Sequence, residues 1–313
     1  MYNGIINVYK EAGFTSFDVV AKLRGILKQK KIGHTGTLDP DATGVLPVCL
    51  GNATKVCDIL TDRDKEYEAT LLLGTTTDTL DISGNVLSRQ EPVWDKSRIG
   101  EVILSYVKEY DQIPPMYSAI KVNGQRLYEL ARKGIEVERK HRKVIIRKIE
   151  IISMELPYVS FKVLCSKGTY IRSLCDDIGR DLGCGAVMTK LVRLRVSSIT
   201  IGNALSLSQI EAIRRKDAEN NTDCFSDAVI KVDAVFSHYK ACKVKDAYAE
   251  KCLLNGNKLS VSDVLPYGED DDKPLSDDGV LPENNVRMDR LDGTFIAIYK
   301  EEEDMLLPVK MFL

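Results

Sequence analysis

Apolar residues recur every three or four positions across residues 15–27, where Val19, Val20, Leu23, Ile26 and Leu27 fall on one face. Thr15 and Asp18 are spaced as a capping box, so the chain opens with an amphipathic helix. The period then breaks. Residues 33–51 hold Gly33, Gly36, Gly44 and Gly51, two prolines and several Thr and Asp, which predicts a long structured loop. Alternation returns at residues 67–73, 144–152 and 158–164 and predicts strands, with Val159, Phe161 and Val163 on one face of the last. Helical spacing links Ile99, Val102, Ile103, Tyr106, Val107 and Tyr110, and again Leu174, Ile178 and Leu182 before a stop at Gly183.

Strands and helices interleave without the short strand–helix–strand rhythm of a doubly wound sheet, so the expected class is α+β, with a first domain over residues 1–228. Residues 229–313 carry short apolar runs at 240–244, 295–299 and 306–309 between Asn, Gly, Pro and acidic stretches, the pattern of a small β-rich second domain. The acidic run at 268–279 is expected to be a mobile loop. No internal repeat is visible.

Composition adds one turn to this picture. With 44% hydrophobic and 29% charged residues the chain is an ordinary globular protein, not a low-complexity or disordered one. Its net charge of -2 argues at first against a polyanionic partner. Divided by position, the charge says otherwise. Residues 263–304 contain 14 acids against 4 bases, leaving 40 bases against 32 acids elsewhere, and residues 121–150 alone carry ten bases against four acids. A basic body with an acidic tail fits RNA or a membrane surface, and equally a solvated charged face.

The eight cysteines form no C-x-x-C pair, and His34, His141 and His238 are not at zinc-finger spacing, so no metal site is expected. No segment approaches the roughly 20 apolar residues of a membrane helix, and the first residues lack a signal-peptide pattern. A reducing cytoplasm with free thiols is the expected compartment.

The candidate chemistry lies in GHTGTLDPDATGVLP, residues 33–47. Its glycines allow close backbone approach, and Leu38, Val45 and Leu46 offer apolar anchors. Asp39 precedes Pro40, which drives its backbone toward an extended conformation and could present the carboxylate to a cleft; an Asx-turn is the bland alternative. The phosphate-loop and dinucleotide glycine patterns are absent, as is the G-x-S-x-G elbow of a serine hydrolase. Three further stretches stand apart from ordinary framework: residues 65–81, 112–119 and 167–174. On local pattern alone, Tyr67 reads as a core aromatic and Arg172 as a surface arginine at a helix start.

Taken in order, GHTGTLDPDATGVLPV, KEYEA, GTTTDTLD, PPMYSAIKVNGQRLYELARKGIEV and SKGTYIRSLCDDIGRDLGCGA resemble the motifs of the TruB-type tRNA pseudouridine-55 synthases, over about residues 5–200. The tail resembles the family's small PUA-like RNA-binding domain. One departure is the opening loop, Lys10-Glu11-Ala12-Gly13, where the family often has K-P-x-G.

The resemblance implies a mixed, mainly antiparallel catalytic sheet with an inserted thumb loop at about residues 115–143. It implies cofactor-free isomerisation of uridine 55 in the T-loop of tRNA by a monomer, with no metal. Position by position, Asp39 matches the essential aspartate acting at the ribose, Arg172 the arginine paired with it, and Tyr67 the tyrosine stacked on the target uracil. Tyr170 and Leu191 match pocket walls, and His34 matches a histidine contacting RNA beside the vacated stack. In the thumb, Arg139, Lys140, Arg142 and Lys143 are the expected grip on phosphates, with Tyr117 and Tyr128 interleaved. The rival expectation is a non-catalytic tRNA-binding or RNA-chaperone module, which would not require Asp39, Tyr67 and Arg172 together.

Overall fold

A computed structural model describes residues 1–266 and 284–313, and the acidic run at 268–279, expected as a mobile loop, lies outside the described residues. A ten-stranded sheet organises residues 4–230. Its main path runs Val229–Ile230, Gly4–Lys10, Thr43–Leu50, Ala186–Val196, Lys65–Leu73, Tyr158–Cys165, Arg142–Glu155 and Glu109–Gln112. Every pairing along it is antiparallel except the short parallel contact of Val192 and Arg193 with Thr43 and Gly44. A second, six-stranded sheet is built from residues 240–311 and packs the helix Ala247–Leu254.

The alternating strands form as their patterns dictate. In Lys65–Leu73 the buried face carries Lys65, Tyr67, Ala69, Leu71 and Leu73, and in Tyr158–Cys165 it carries Val159, Phe161, Val163 and Cys165. Those faces meet the helices Lys96–Ser105 and Ile171–Leu182 through Ile99, Ile103, Leu174 and Ile178. A fully buried side chain such as Phe161, with no exposed surface, contributes about 1.5–3 kcal/mol. The helix Ser16–Leu27 starts at the expected capping box of Thr15 and Asp18, and Ile171–Leu182 ends at Gly183, whose φ of 80° is the left-handed stop.

Several expectations are corrected. Residues 33–51 are not one long loop: Ile32–His34 and Thr43–Leu50 are strands, and only residues 35–42 loop between them. Gly44 and Pro47 misled because each has a special place. Gly44 has φ 104°, and a Cβ there would lie 2.2 Å from the Arg193 carbonyl oxygen. Pro47 has no donor to give the ladder, but its carbonyl accepts from the Thr35 amide.

The second helical pattern also stops early. The helix ends at Ser105, and Tyr110 belongs to the Glu109–Gln112 strand. Its ring still packs edge-to-face on Tyr106 at 5.3 Å, so burial keeps the helical spacing while the backbone does not. The 115–143 stretch holds a hairpin of Lys121–Val122 with Gln125–Arg126 and the short helix Leu127–Ala131, and the next strand starts at Arg142. The Thr-rich segment after residue 74 forms a hairpin of Thr75–Thr77 with Val86–Arg89, and Thr77 is buried.

Candidate functional site

The 35–42 loop hangs between two strands and is fixed from below by side chains distant in sequence. Lys10, with no exposed surface, donates from Nζ to the carbonyls of Pro40 (2.9 Å), Ala42 (2.6 Å) and Glu11 (3.0 Å). All three ammonium protons are used. Burial pulls its pKa down to about 8, with Asp39 and Asp41 pulling the other way. Ser16 Oγ accepts from the Leu38 amide at 2.9 Å, and Leu38 and Ala42 are buried in the same core as Tyr67. Arg193, also without exposed surface, donates to the Val45 and Gly36 carbonyls at 2.7 and 3.3 Å. The loop is thereby rigid although it has no regular structure.

Asp39 leaves this frame toward the start of Ile171–Leu182. Arg172 Nε lies 3.0 Å from Asp39 Oδ2 and its Nη2 lies 3.3 Å from Oδ1, a two-point clasp. The remaining guanidinium donors reach the Thr79 carbonyl (3.0 Å), Asp81 Oδ2 (3.4 Å) and the Tyr117 carbonyl (2.8 Å). Arg172 is 4% exposed, and all five of its N–H groups are directed at acceptors. A cation in the first turn of a helix opposes the helix dipole; here two carboxylates offset it.

Asp39 keeps 39% of its side chain open to solvent. It nevertheless sits deep enough among its neighbours that desolvation lifts its pKa above the ordinary carboxylate value, with Arg172 pulling down and Asp81 pushing up. The result is a carboxylate clamped on one side and open on the other.

The pocket side is set by strand register. Tyr67 stands opposite Arg193 and next to Val163, and Leu191 stands opposite Ala69. Tyr67 is 7% and Leu191 8% exposed, and both share one core with Leu38 and Ala42. Burial holds the Tyr67 phenol above its usual pKa, against the facing Arg193 guanidinium. Tyr170 is half-buried beside Ser118, and its phenol pKa is also raised by burial, with the charges of Arg142, Arg172 and Asp39 acting on it. His34 ends its strand five residues before Asp39; its Nδ1 is buried without a hydrogen-bond partner, and burial lowers its pKa.

Of the expected site residues, Asp39, Arg172, Tyr67, Tyr170 and Leu191 thus converge, and Arg142 is near enough to act on Tyr170. Arg139, Lys140 and Lys143 lie on the outer segment. Lys140 and Lys143 are exposed, Lys143 pairs with Glu109 at 3.0 Å, and Arg139 is held by Glu136 and the Pro114 carbonyl. Sequence reasoning missed Lys10, Arg193 and Asp81 as parts of the site. Asp81 had a signal, since it lies within GTTTDTLD, and so had Lys10, which opens the loop that parallels K-P-x-G; a buried arginine in mid-strand had none. Among the described residues no group of three or more His, Cys, Asp or Glu is placed to hold a metal ion.

The comparisons with known proteins cover this ground. The profile of the TruB family pseudouridylate synthase N-terminal domain matches residues 24–171, and that of the tRNA pseudouridylate synthase B C-terminal domain matches residues 172–237. Their join falls within the first turn of Ile171–Leu182, so it is not a structural boundary. A protein of Lachnoclostridium phytofermentans named tRNA pseudouridine synthase B is 51% identical over 321 residues, covering 99% of this chain and 100% of its own. The protein of that name from Staphylococcus aureus is 43% identical, covering 88% of this chain and 93% of its own.

Among solved structures, a Cbf5–Nop10–Gar1 complex contains a chain superposing with a TM-score of 0.74 at 27% identity, over 99% of this chain and 85% of that one. The mainly antiparallel α+β architecture is therefore shared across the whole length. Because the matched stretches contain the Asp39 loop, the Tyr67 strand and the Arg172 helix alike, and one relative aligns over its full length, the chain belongs to the TruB family of pseudouridylate synthases.

Proposed function

We propose that the chain isomerises uridine 55 of the tRNA T-loop to pseudouridine, as a cytoplasmic monomer, with Asp39 as the catalytic carboxylate. The observation that carries this reading is the Asp39–Arg172 clasp, with part of Asp39 open to solvent, its loop packed on the core of Tyr67 and Leu191, and its charge felt by Tyr67 and Tyr170. In the reaction the bond between uracil nitrogen 1 and the ribose breaks and a bond from carbon 5 to the same ribose carbon forms. Carbon 5 loses a proton and nitrogen 1 gains one, so no atom is gained or lost overall and no outside reagent is consumed.

An ionised, immobile carboxylate serves this chemistry at the ribose, either by attacking the electron-poor carbon or by removing a proton beside it. Arg172 fixes its direction, and Tyr67 offers a ring face to the detached uracil. The names of the relatives agree with tRNA as substrate. Among the described residues no helix is long and apolar enough to cross a membrane.

The test is tritium release from a T-arm transcript labelled at uridine carbon 5, with the modified position mapped afterwards. Release from position 55 alone is expected. No release, or release from another uridine, refutes the assignment.

A uridine in a folded T-loop must be extruded to reach the pocket, and contacts to the backbone offset that cost. We assign those contacts to the thumb at residues 115–143, together with His34 beside the vacated stack and the second domain at 229–313. Replacing Arg139, Lys140, Arg142 and Lys143 with Ala is expected to lower the slope of log Kd against log salt by about 2–3, since each phosphate contact contributes roughly 0.7–0.9. Arg139 should contribute least, because its side chain is 24% exposed and already partnered. A salt titration with an unchanged slope removes the thumb from the interface.

A further inference from the structure

We propose that Gln112 is a positioning residue for the Asp39–Arg172 pair, acting through the start of the Ile171–Leu182 helix and tying the root of the thumb to that pair. The inference rests on the reading of Asp39 given above. Gln112 ends the strand Glu109–Gln112 and stands opposite Arg142, so it marks the place where both legs of the thumb leave the sheet. Only 1% of it is exposed.

Its carboxamide holds the backbone of one residue and the hydroxyl of another. Gln112 Oε1 accepts from the Tyr170 amide at 2.8 Å, while Nε2 donates to the Tyr170 carbonyl at 3.1 Å and to the Tyr110 hydroxyl at 2.6 Å. Tyr170 is the N-cap of the helix and makes no capping bond with its own side chain. Its carbonyl also accepts the first intrahelical bond, from the Leu174 amide at 3.0 Å. Gln112 therefore brackets both polar groups of the cap residue's backbone from outside, at a helix start that no side chain of its own caps.

What leaves that bracketed turn is the site. Tyr170 is the cap itself, and Arg172 follows two residues later. Two further bonds repeat the attachment: Ser173 Oγ donates to the Ile113 carbonyl at 2.9 Å and Arg172 Nη2 to the Tyr117 carbonyl at 2.8 Å. Residues 112–117 and 170–173 are thus stitched side by side. Among them Gln112 is the side chain that both donates to and accepts from the partner backbone. Glutamate in its place could only accept, and methionine could do neither. A lost bracket lets the helix start shift, and misplacement by about 1 Å at a reacting group can cost on the order of 100-fold.

The test uses Gln112→Met and Gln112→Glu in the full chain, with Asp39→Asn alongside. Single-turnover rates on a T-arm transcript, tRNA Kd and the pH dependence of the rate are measured, after melting has shown which variants are folded. Expected is a rate 10- to 100-fold below wild type with Kd within about twofold.

The acid limb of the rate should also move to higher pH. Asp39 is faced by Arg172, Asp81, Lys10 and Asp41, with Tyr67 and Tyr170 beside it, and Arg172 is the cation held by the bracketed turn. Loosening it weakens the pull that keeps Asp39 ionised. A general structural loss would lower the amount of active enzyme without moving that limb. The inference is overturned if both folded variants react at the wild-type rate, or if the rate falls with the acid limb in place. If Gln112→Met does not fold, Gln112→Glu alone decides by the same two readings. Should Asp39→Asn remain active, the reading of the site fails and this inference with it; an inert Asp39→Asn beside an unaffected Gln112→Met overturns only this inference.

Discussion

Replacing Asp39 with Asn is expected to abolish pseudouridine formation, by at least about 10⁴-fold in single-turnover rate, while tRNA binding stays within a few-fold of wild type. The substitution keeps the size of the side chain and one of the two oxygens that accept from Arg172, but removes the negative charge. Both routes at the ribose need that charge, as nucleophile or as base, so neither survives. A non-catalytic RNA-binding scaffold would lose nothing. The same charge sets the acid limb of wild-type activity. Because desolvation raises the Asp39 pKa in the folded protein, the ionised form is lost as pH falls through a value above that of an ordinary aspartate, and activity should fall with it. Tritium release across pH, compared with filter binding on the same samples, checks both statements. Retained turnover in Asp39→Asn would falsify the carboxylate's role.

Arg172→Ala should affect both rate and stability. The guanidinium is 4% exposed, and its removal strands Asp39, Asp81 and the Thr79 and Tyr117 carbonyls at once. Stranding buried acceptors costs about 1–3 kcal/mol, with Asp39 softened by its open face, and a urea titration reads the loss directly. The rate should drop by about 10²-fold or more, since Asp39 loses its direction and its neutralising partner together. Arg172→Lys should recover little. An ammonium carries three donors on one atom and cannot reproduce the fork that spans Asp39, Asp81 and two carbonyls. Wild-type urea stability in Arg172→Ala, or near-full activity in Arg172→Lys, contradicts this account.

How much of this was legible in sequence depends on the range of the interactions. The capping box at Thr15, the alternation through Lys65–Leu73 and the glycine stop at Gly183 are local, and the fold follows them. The strand Thr43–Leu50 was hidden because Gly44 and Pro47 are read by default as breakers. Both are explained only by a neighbour, the Arg193 backbone for one and the Thr35 amide for the other.

Asp39 stood out because its loop is unusual in composition, and the motifs placed Arg172 and Tyr67 beside it. Lys10 stood out only as the start of the opening loop, and its burial did not. A lysine ending a strand reads as solvated, and its burial is dictated by three carbonyls, two of them about thirty residues further along the chain. Gln112 opened a stretch that the sequence sets apart, but its role was hidden for the same reason, since its partner is the backbone of Tyr170.

The wide sequence separation of the parts has a consequence for biosynthesis. Lys10, Asp39, Tyr67, Asp81, Gln112, Arg172 and Arg193 come together only when the strand Ala186–Val196 has entered between Thr43–Leu50 and Lys65–Leu73. A nascent chain that has not yet exposed that strand outside the ribosome carries the reactive carboxylate but no pocket around it. The first turnover of a new molecule therefore requires that its central sheet has closed, and a translation product that stops before residue 186 lacks the strand that assembles the site.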